Sequence, residues 1–157
     1  MARRGVKVIM HNTLAANDYG LLDQSTLEPR PNYWAMLLWR KLMGTTVLDP
    51  HIRATPNVYS YAHCLAGRAG GVALLVINAD RQRTFDIDLP MAAERYTLTA
   101  LSLEDPSVQL NGQTLHLTPG GELPQFKGEP TKAGRVNLAP VSVTYLAVQN
   151  AVNNACR

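Results

Sequence analysis

The run Val108-Gln109-Leu110-Asn111-Gly112-Gln113-Thr114-Leu115-His116-Leu117 sets the character of this chain. Asn-Gly between two apolar segments is a strong hairpin signal, because the tight turn needs positive φ at both central residues. Outward from this hairpin, short apolar runs recur on both sides. They predict strands at Val58–Cys64, Val72–Ile77, Thr84–Leu89, Tyr96–Leu101, Val108–Leu110, Thr114–Leu117 and Val141–Val148. Asp86 and Asp88 alternate with Phe85, Ile87 and Leu89, as in a strand with one face in water. Gly70-Gly71, Gly120-Gly121 and the prolines Pro119, Pro124 and Pro130 mark the loops between them. Seven short strands parted by turns predict a mainly β fold, an antiparallel β-sandwich.

The residues before Gly44 read differently. Val6-Lys7-Val8-Ile9-Met10 is nearly all apolar, as in a strand buried on both faces of a parallel sheet, and His11 and Asn12 end it. A loop follows to about Arg30. Tyr33, Trp34, Leu37, Leu38, Lys41 and Leu42 then recur at helical spacing. Pro31 suits the first helical position, Asn32 would serve equally as the cap, and Gly44 stands where a C-terminal cap belongs. One strand and one helix cannot close a sheet, so residues 1–44 are expected to be a unit that wants neighbours, and residues 45–157 the sandwich domain.

Composition narrows the function classes. At 157 residues, with 46% hydrophobic and 17% charged, the chain suits one ordinary domain and excludes a disordered tract or a disulfide miniprotein. The net charge of +3 lies in residues 1–41, where Arg3, Arg4, Lys7, Arg30, Arg40 and Lys41 outnumber Asp18, Asp23 and Glu28. The bases are scattered singly, which reads as a solvated surface; no nucleic-acid partner is expected. No apolar run approaches the roughly 20 residues of a membrane helix, and Val8-Ile9-Met10 is too short for a signal-peptide core. As written, the chain is expected to carry neither export signal nor membrane anchor.

Chemistry-bearing motifs are sparse. His63 and Cys64 are adjacent, so a strand points them to opposite faces, while His51 and His116 stand alone. With neither a CxxC pair nor an HExxH helix, no metal site is expected. There is no GxSxG elbow and no glycine-rich phosphate loop, so no cofactor is expected either. Glu104 and Asp105 read as a turn pair, and Asp86 and Asp88 as solvated carboxylates. Cys64 and Cys156 are compatible with a disulfide or with two buried thiols, and spacing alone leaves both open. If Val6–Met10 belongs to a parallel barrel, His11, Asn12 and the loop to Tyr19 lie at the rim where such barrels place active sites. A buried polar pair, His11 and Asn12, with Tyr19 beside it would there form a sugar-contacting wall; alternatively Tyr19 would simply cover the helix below it.

Several ordered motifs carry a family likeness. Val8-Ile9-Met10-His11-Asn12-Thr13-Leu14 and Asn17-Asp18-Tyr19-Gly20-Leu21-Leu22-Asp23 resemble the last barrel strand and following loop of heparanase-like β-glucuronidases, glycoside hydrolase family 79. Pro31-Asn32-Tyr33-Trp34 and Lys41-Leu42-Met43-Gly44 resemble that family's final barrel helix and its exit. Tyr61-Ala62-His63-Cys64, Val76-Ile77-Asn78, Ser107-Val108-Gln109-Leu110-Asn111-Gly112 and Ala155-Cys156 fit its C-terminal β-domain in order.

The resemblance implies one residual βα unit of a (β/α)8 barrel followed by a β-sandwich, the C-terminal portion of a retaining glycosidase acting on β-glucuronides. Both catalytic glutamates would lie upstream of this sequence, so no catalytic residue is assigned here. Tyr19 matches a tyrosine that helps bind the uronic-acid carboxylate, Asn12 a polar position facing the sugar, and Asn17 a position where some members have glycine; these three are the expected substrate-binding residues. Cys64 and Cys156 match a family disulfide. The family's β-domain also borrows a strand from an N-terminal segment, which implies an open sandwich edge here. The implied partners are the missing barrel portion and, once joined to it, a glucuronide-containing polysaccharide; the implied location is secreted or periplasmic. The competing expectation is a non-catalytic module that binds acidic polysaccharide or a partner domain.

Overall fold

In chain order the elements are α1 (Pro31–Leu42), β1 (Met43–Leu48), β2 (Val58–Leu65), β3 (Val72–Asn78), β4 (Phe85–Leu89), β5 (Ala93–Thr99), β6 (Gln109–Leu110), β7 (Gln113–Thr114), β8 (Glu129–Thr131), β9 (Gly134–Leu138) and β10 (Ser142–Val148), with a closing 3-10 turn at Asn154–Cys156. The computed structural model describes residues 5, 6, 8–102 and 104–157; Arg3, Arg4 and Lys7 of the basic N-terminal residues lie outside the described residues.

The fold is mainly β and antiparallel. The large sheet runs β1-β2-β3-β10-β5-β6-β7, with β8 also paired to β5, and β4 and β9 form a second sheet of two strands. Strand β10 is central: Tyr145 stands opposite Leu75 and Tyr96, and Leu146 opposite Leu74 and Arg95. Because neighbours along a strand point to opposite faces, Tyr145, Leu75 and Tyr96 share one face and Leu146 and Val76 the other. The first face packs against Trp34, Leu38 and Leu42 of α1. The second packs against Ile87, Leu89, Val136 and Leu138 of the small sheet. The result is three layers: helix, large sheet, small sheet.

The Asn111-Gly112 turn forms as expected, with φ of 49° and 80°, between β6 and β7. Three strands lie outside the predicted set. β1 and β8 are short edge elements, and β9 (Gly134-Arg135-Val136-Asn137-Leu138) buries only Val136 and Leu138. Such strands carry little periodicity and form because a neighbour offers its backbone. Gly44 does not end the helix in a left-handed cap. Met43 is already extended, and the chain passes directly from α1 into β1. What Gly44 supplies is room: a Cβ there would sit 2.6 Å from the Cys64 carbonyl oxygen on β2.

The first expected strand does not form. Val6 and residues 8–10 adopt no strand, Lys7 being outside the described residues, and Val8, Ile9 and Met10 are 71%, 69% and 85% exposed. A strand apolar on both faces needs hydrogen-bonded neighbours on each side, and no described strand pairs with this run.

Helix α1, in contrast, finds its place on the sheet. Trp34 and Leu38 are 1% and 0% exposed, and the Tyr145 hydroxyl donates to the Ala35 carbonyl at 2.9 Å. Burial pushes the Tyr145 phenol well above its ordinary pKa, so it stays a neutral donor. Two further devices tie distant segments together. Asn78, 1% exposed, donates from Nδ2 to the carbonyls of Arg83, Leu138 and Ala139 and accepts from the Asp80 N–H. Cys64 and Cys156 form a disulfide, with Cα atoms 5.3 Å apart, closing a 92-residue separation. The tail beside it is held by Gly70 N–H on the Cys156 carbonyl and by Arg68 on Gln149 and Asn150.

Candidate functional site

The segment from His11 to Asn32 is shaped by side chains bonding to nearby backbone and by backbone–backbone hydrogen bonds across its turns. His11 Nδ1 donates to the Thr13 carbonyl at 2.8 Å, and Thr13 Oγ1 accepts from Ala16 N–H. The Leu22 N–H then returns to the Leu14 carbonyl at 2.8 Å, closing a compact loop. At its surface Asn12 Nδ2 donates to the Tyr19 hydroxyl at 3.1 Å. Two of the three expected binding residues therefore meet, and Tyr19 is 54% exposed. Asn17 is placed differently. Its Oδ1 is buried and accepts no hydrogen bond, and its carbonyl accepts from the Gly20 N–H.

Asp23 is a hub that sequence reading passed over. Its Oδ1 accepts from the Ser25 N–H and hydroxyl and from the Thr26 N–H and hydroxyl, and its Oδ2 accepts from Arg30 at 3.1 Å. The Ser25 hydroxyl foremost, then the Thr26 and Ser25 N–H groups and the Arg30 guanidinium, hold this carboxyl far below the usual carboxylate range. The signal was present as Asp23-Gln24-Ser25-Thr26, since Asp followed by Ser and Thr favours a side-chain-capped turn. Asn32 was weighed only as a helix cap. Its Oδ1 accepts from the Tyr33 N–H, while its Nδ2 reaches the carbonyls of Tyr19 and Gly20.

Beside this loop runs a groove of about 820 Å³, bounded by Asp18, Asp23 and Glu28 on one side and by Glu104, Asp105 and His116 on the other. Tyr19 and Asn12 are not among its walls. Two of its carboxylates serve turns, Asp23 accepting from the Ser25 and Thr26 N–H groups and Asp105 from the Ser107 N–H at 2.8 Å. Asp86 and Asp88 lie on the exposed face of β4, where Asp86 pairs with Asn137 and Arg135. His63 is buried between Gly44, whose carbonyl accepts a hydrogen bond from its Nδ1–H, and the Trp39 ring. Among the described residues no group of three or more His, Cys, Asp or Glu is arranged to hold a metal ion, and no helix is long and apolar enough to cross a membrane.

No family model matches the chain. Known proteins do. Baicalin-beta-D-glucuronidase of Scutellaria baicalensis is 37% identical over 89% of this chain and 28% of its own length. Inactive heparanase-2 of Homo sapiens is 30% identical over 100% of this chain and 31% of its own length. The chain is a homologue of the heparanase-like β-glucuronidases. It spans less than a third of the length of these two relatives. Among solved structures, the GH51 arabinofuranosidase from Xanthomonas axonopodis pv. citri superposes with a TM-score of 0.37 and 21% identity, covering 66% of this chain and 21% of that one, a partial likeness that decides nothing further. The heparanase-like chain thus combines an antiparallel β fold, a disulfide-tethered tail and a surface Asn12–Tyr19 pair.

Proposed function

We propose that this chain is the C-terminal part of a heparanase-like retaining glycoside hydrolase acting on β-glucuronides, and that it is inactive alone. The observation that carries the reading is homology over the whole chain combined with a span of less than a third of the relatives. Retaining hydrolysis needs an acid/base carboxyl and a nucleophilic carboxylate roughly 5–5.5 Å apart, facing one glycosidic bond. In this reading those two groups belong to the barrel portion. The chain supplies the last turn of the barrel rim, where Asn12 and Tyr19 meet the uronate while Asn17 shapes the loop behind them. The Tyr19 hydroxyl, already accepting from Asn12, has its own proton free to donate to a carboxylate oxygen. The exposed Val8, Ile9 and Met10 support the same reading, because they are the row a barrel neighbour would cover.

Assay of the purified chain with an aryl β-glucuronide tests this directly. No turnover is expected from the chain alone, and turnover is expected when it is joined to a heparanase-like barrel portion. Turnover by the chain alone that survives rigorous purification and vanishes in one Asp or Glu variant would overturn it.

A second reading has a specific observation behind it: one of the relatives matched over the whole chain is named an inactive heparanase. In that reading the chain belongs to a non-catalytic protein that binds acidic polysaccharide or a partner domain. Retention on immobilised heparin that falls steeply with salt, without turnover in the joined protein, would favour it.

A further inference from the structure

The Asn12–Tyr19 pair is held from behind. We propose that Asn32 is a positioning residue for Tyr19, mounting the peptide between Tyr19 and Gly20 on the first turn of α1. This rests on the reading of Tyr19 as a uronate contact. Asn32 Nδ2 donates to the Tyr19 carbonyl at 3.4 Å and to the Gly20 carbonyl at 3.3 Å. Its Oδ1 accepts from the Tyr33 N–H at 3.0 Å, which fixes the amide with oxygen toward the helix and nitrogen toward the loop. The seat is close-fitting. A Cβ at Gly20 would lie 2.9 Å from the Leu14 carbonyl oxygen and 3.2 Å from those of Asn17 and Leu22, all backbone atoms that cannot rotate away. The helix that carries Asn32 is itself packed on the sheet, through the buried Trp34 and Leu38 and the Tyr145 bond to Ala35. A continuous path therefore runs from the large sheet through α1 and Asn32 to Tyr19, and from its hydroxyl to Asn12.

A helix-capping role and a loop-positioning role separate in one variant. Asn32→Asp keeps the acceptor for the Tyr33 N–H and adds a charge that suits a helix N-terminus. It removes both donors and sets a carboxylate against two carbonyls. In the labelled full chain, Asn32→Asp is expected to leave the thermal midpoint followed by tryptophan fluorescence unchanged. It should shift the Asn12 side-chain amide toward a solvent-exposed value and move the Tyr19 ring signals. Gly20→Ala, which leaves every helix contact of Asn32 in place, should displace the same signals. Titration with methyl β-glucuronide should show binding weakened about tenfold in both variants, the loss of roughly one hydrogen bond, and as much in Tyr19→Phe. Unmoved Asn12 and Tyr19 signals in either variant would overturn the proposal. So would an Asn32→Asp chain that melts early, because Asn32 would then serve the helix. If the wild-type chain shows no glucuronide shifts while the signals still move in both variants, the uronate reading fails and the mounting of Tyr19 stands.

Discussion

Asn78 shows how much one buried amide can hold. Its side chain satisfies carbonyls on the loop before β4 and at the end of β9, joining the small sheet to the last residue of β3. Asn78→Ala would take the donor from the Arg83 and Leu138 carbonyls, the Ala139 carbonyl keeping the Ser142 hydroxyl, and urea unfolding should show a loss of about 2–3 kcal/mol. Asp80 is its neighbour in the same turn. The Gln82 and Arg83 N–H groups, with a smaller contribution from the Arg83 guanidinium, lower its pKa from 3.8 to about 2. A depressed carboxylate contributes stability above its unfolded pKa and loses it as pH falls through the folded one. This turn should therefore stay intact at pH 4 and loosen between pH 3.8 and about 2. The Gln82 and Arg83 amide shifts would follow that titration in the wild type and be flat in Asp80→Asn.

Helix α1 carries more than its length suggests. Its twelve residues have neither a side-chain N-cap nor an acidic first turn, so propensity alone would leave it marginal in water. What holds it is one face, Trp34, Leu38 and Leu42, sunk against Leu75, Tyr96 and Tyr145 of the large sheet. Trp34→Ala should cost about 3–5 kcal/mol through the cavity it opens. Amide exchange is expected to be slow in α1 along with β3 and β10, and fast from residue 8 to about residue 16, where little covers the backbone. Equal protection on both sides of Pro31 would show instead that the exposed N-terminal run is held by contacts of its own.

Across the whole molecule the Cys64–Cys156 bond and the Asn153–Gly70 and Gly70–Cys156 backbone bonds pin the end of the chain beside β2. Closing a separation of 92 residues is worth roughly 4–5 kcal/mol in the chain-entropy picture, and measured values for such bonds run about 2–5 kcal/mol. Cys156→Ser should lower the unfolding free energy by an amount in that range and free the last residues first. Thiol titration of the unfolded, non-reduced wild type should find no reactive thiol; two free thiols after oxidising preparation would contradict the bond.

The antiparallel β character of this chain, its Asn111-Gly112 hairpin and a helix beginning near Pro31 are local matters. Alternation, a turn dipeptide and a fixed proline φ decide them within a few residues, so they are legible without a structure. The likeness that singled out Asn12 and Tyr19 is also a matter of residue order, whereas the hydrogen bond between them is a product of the folded loop. Tertiary structure decided the rest. Strands β8 and β9 exist because β5 and β4 offer them a partner, and pairing across distant segments leaves no period in the sequence. Val6–Met10 has the pattern of a strand, yet its described residues, Val6 and residues 8–10, form none, since a pattern cannot supply the neighbours on which hydrogen bonds depend. Gly44 was legible as a special position but not for its reason, because the Cys64 carbonyl that crowds it arrives from another strand. Asn32 reaching Tyr19 and Asp23 gathering Ser25, Thr26 and Arg30 likewise depend on where a loop returns in space, which only the packed chain determines.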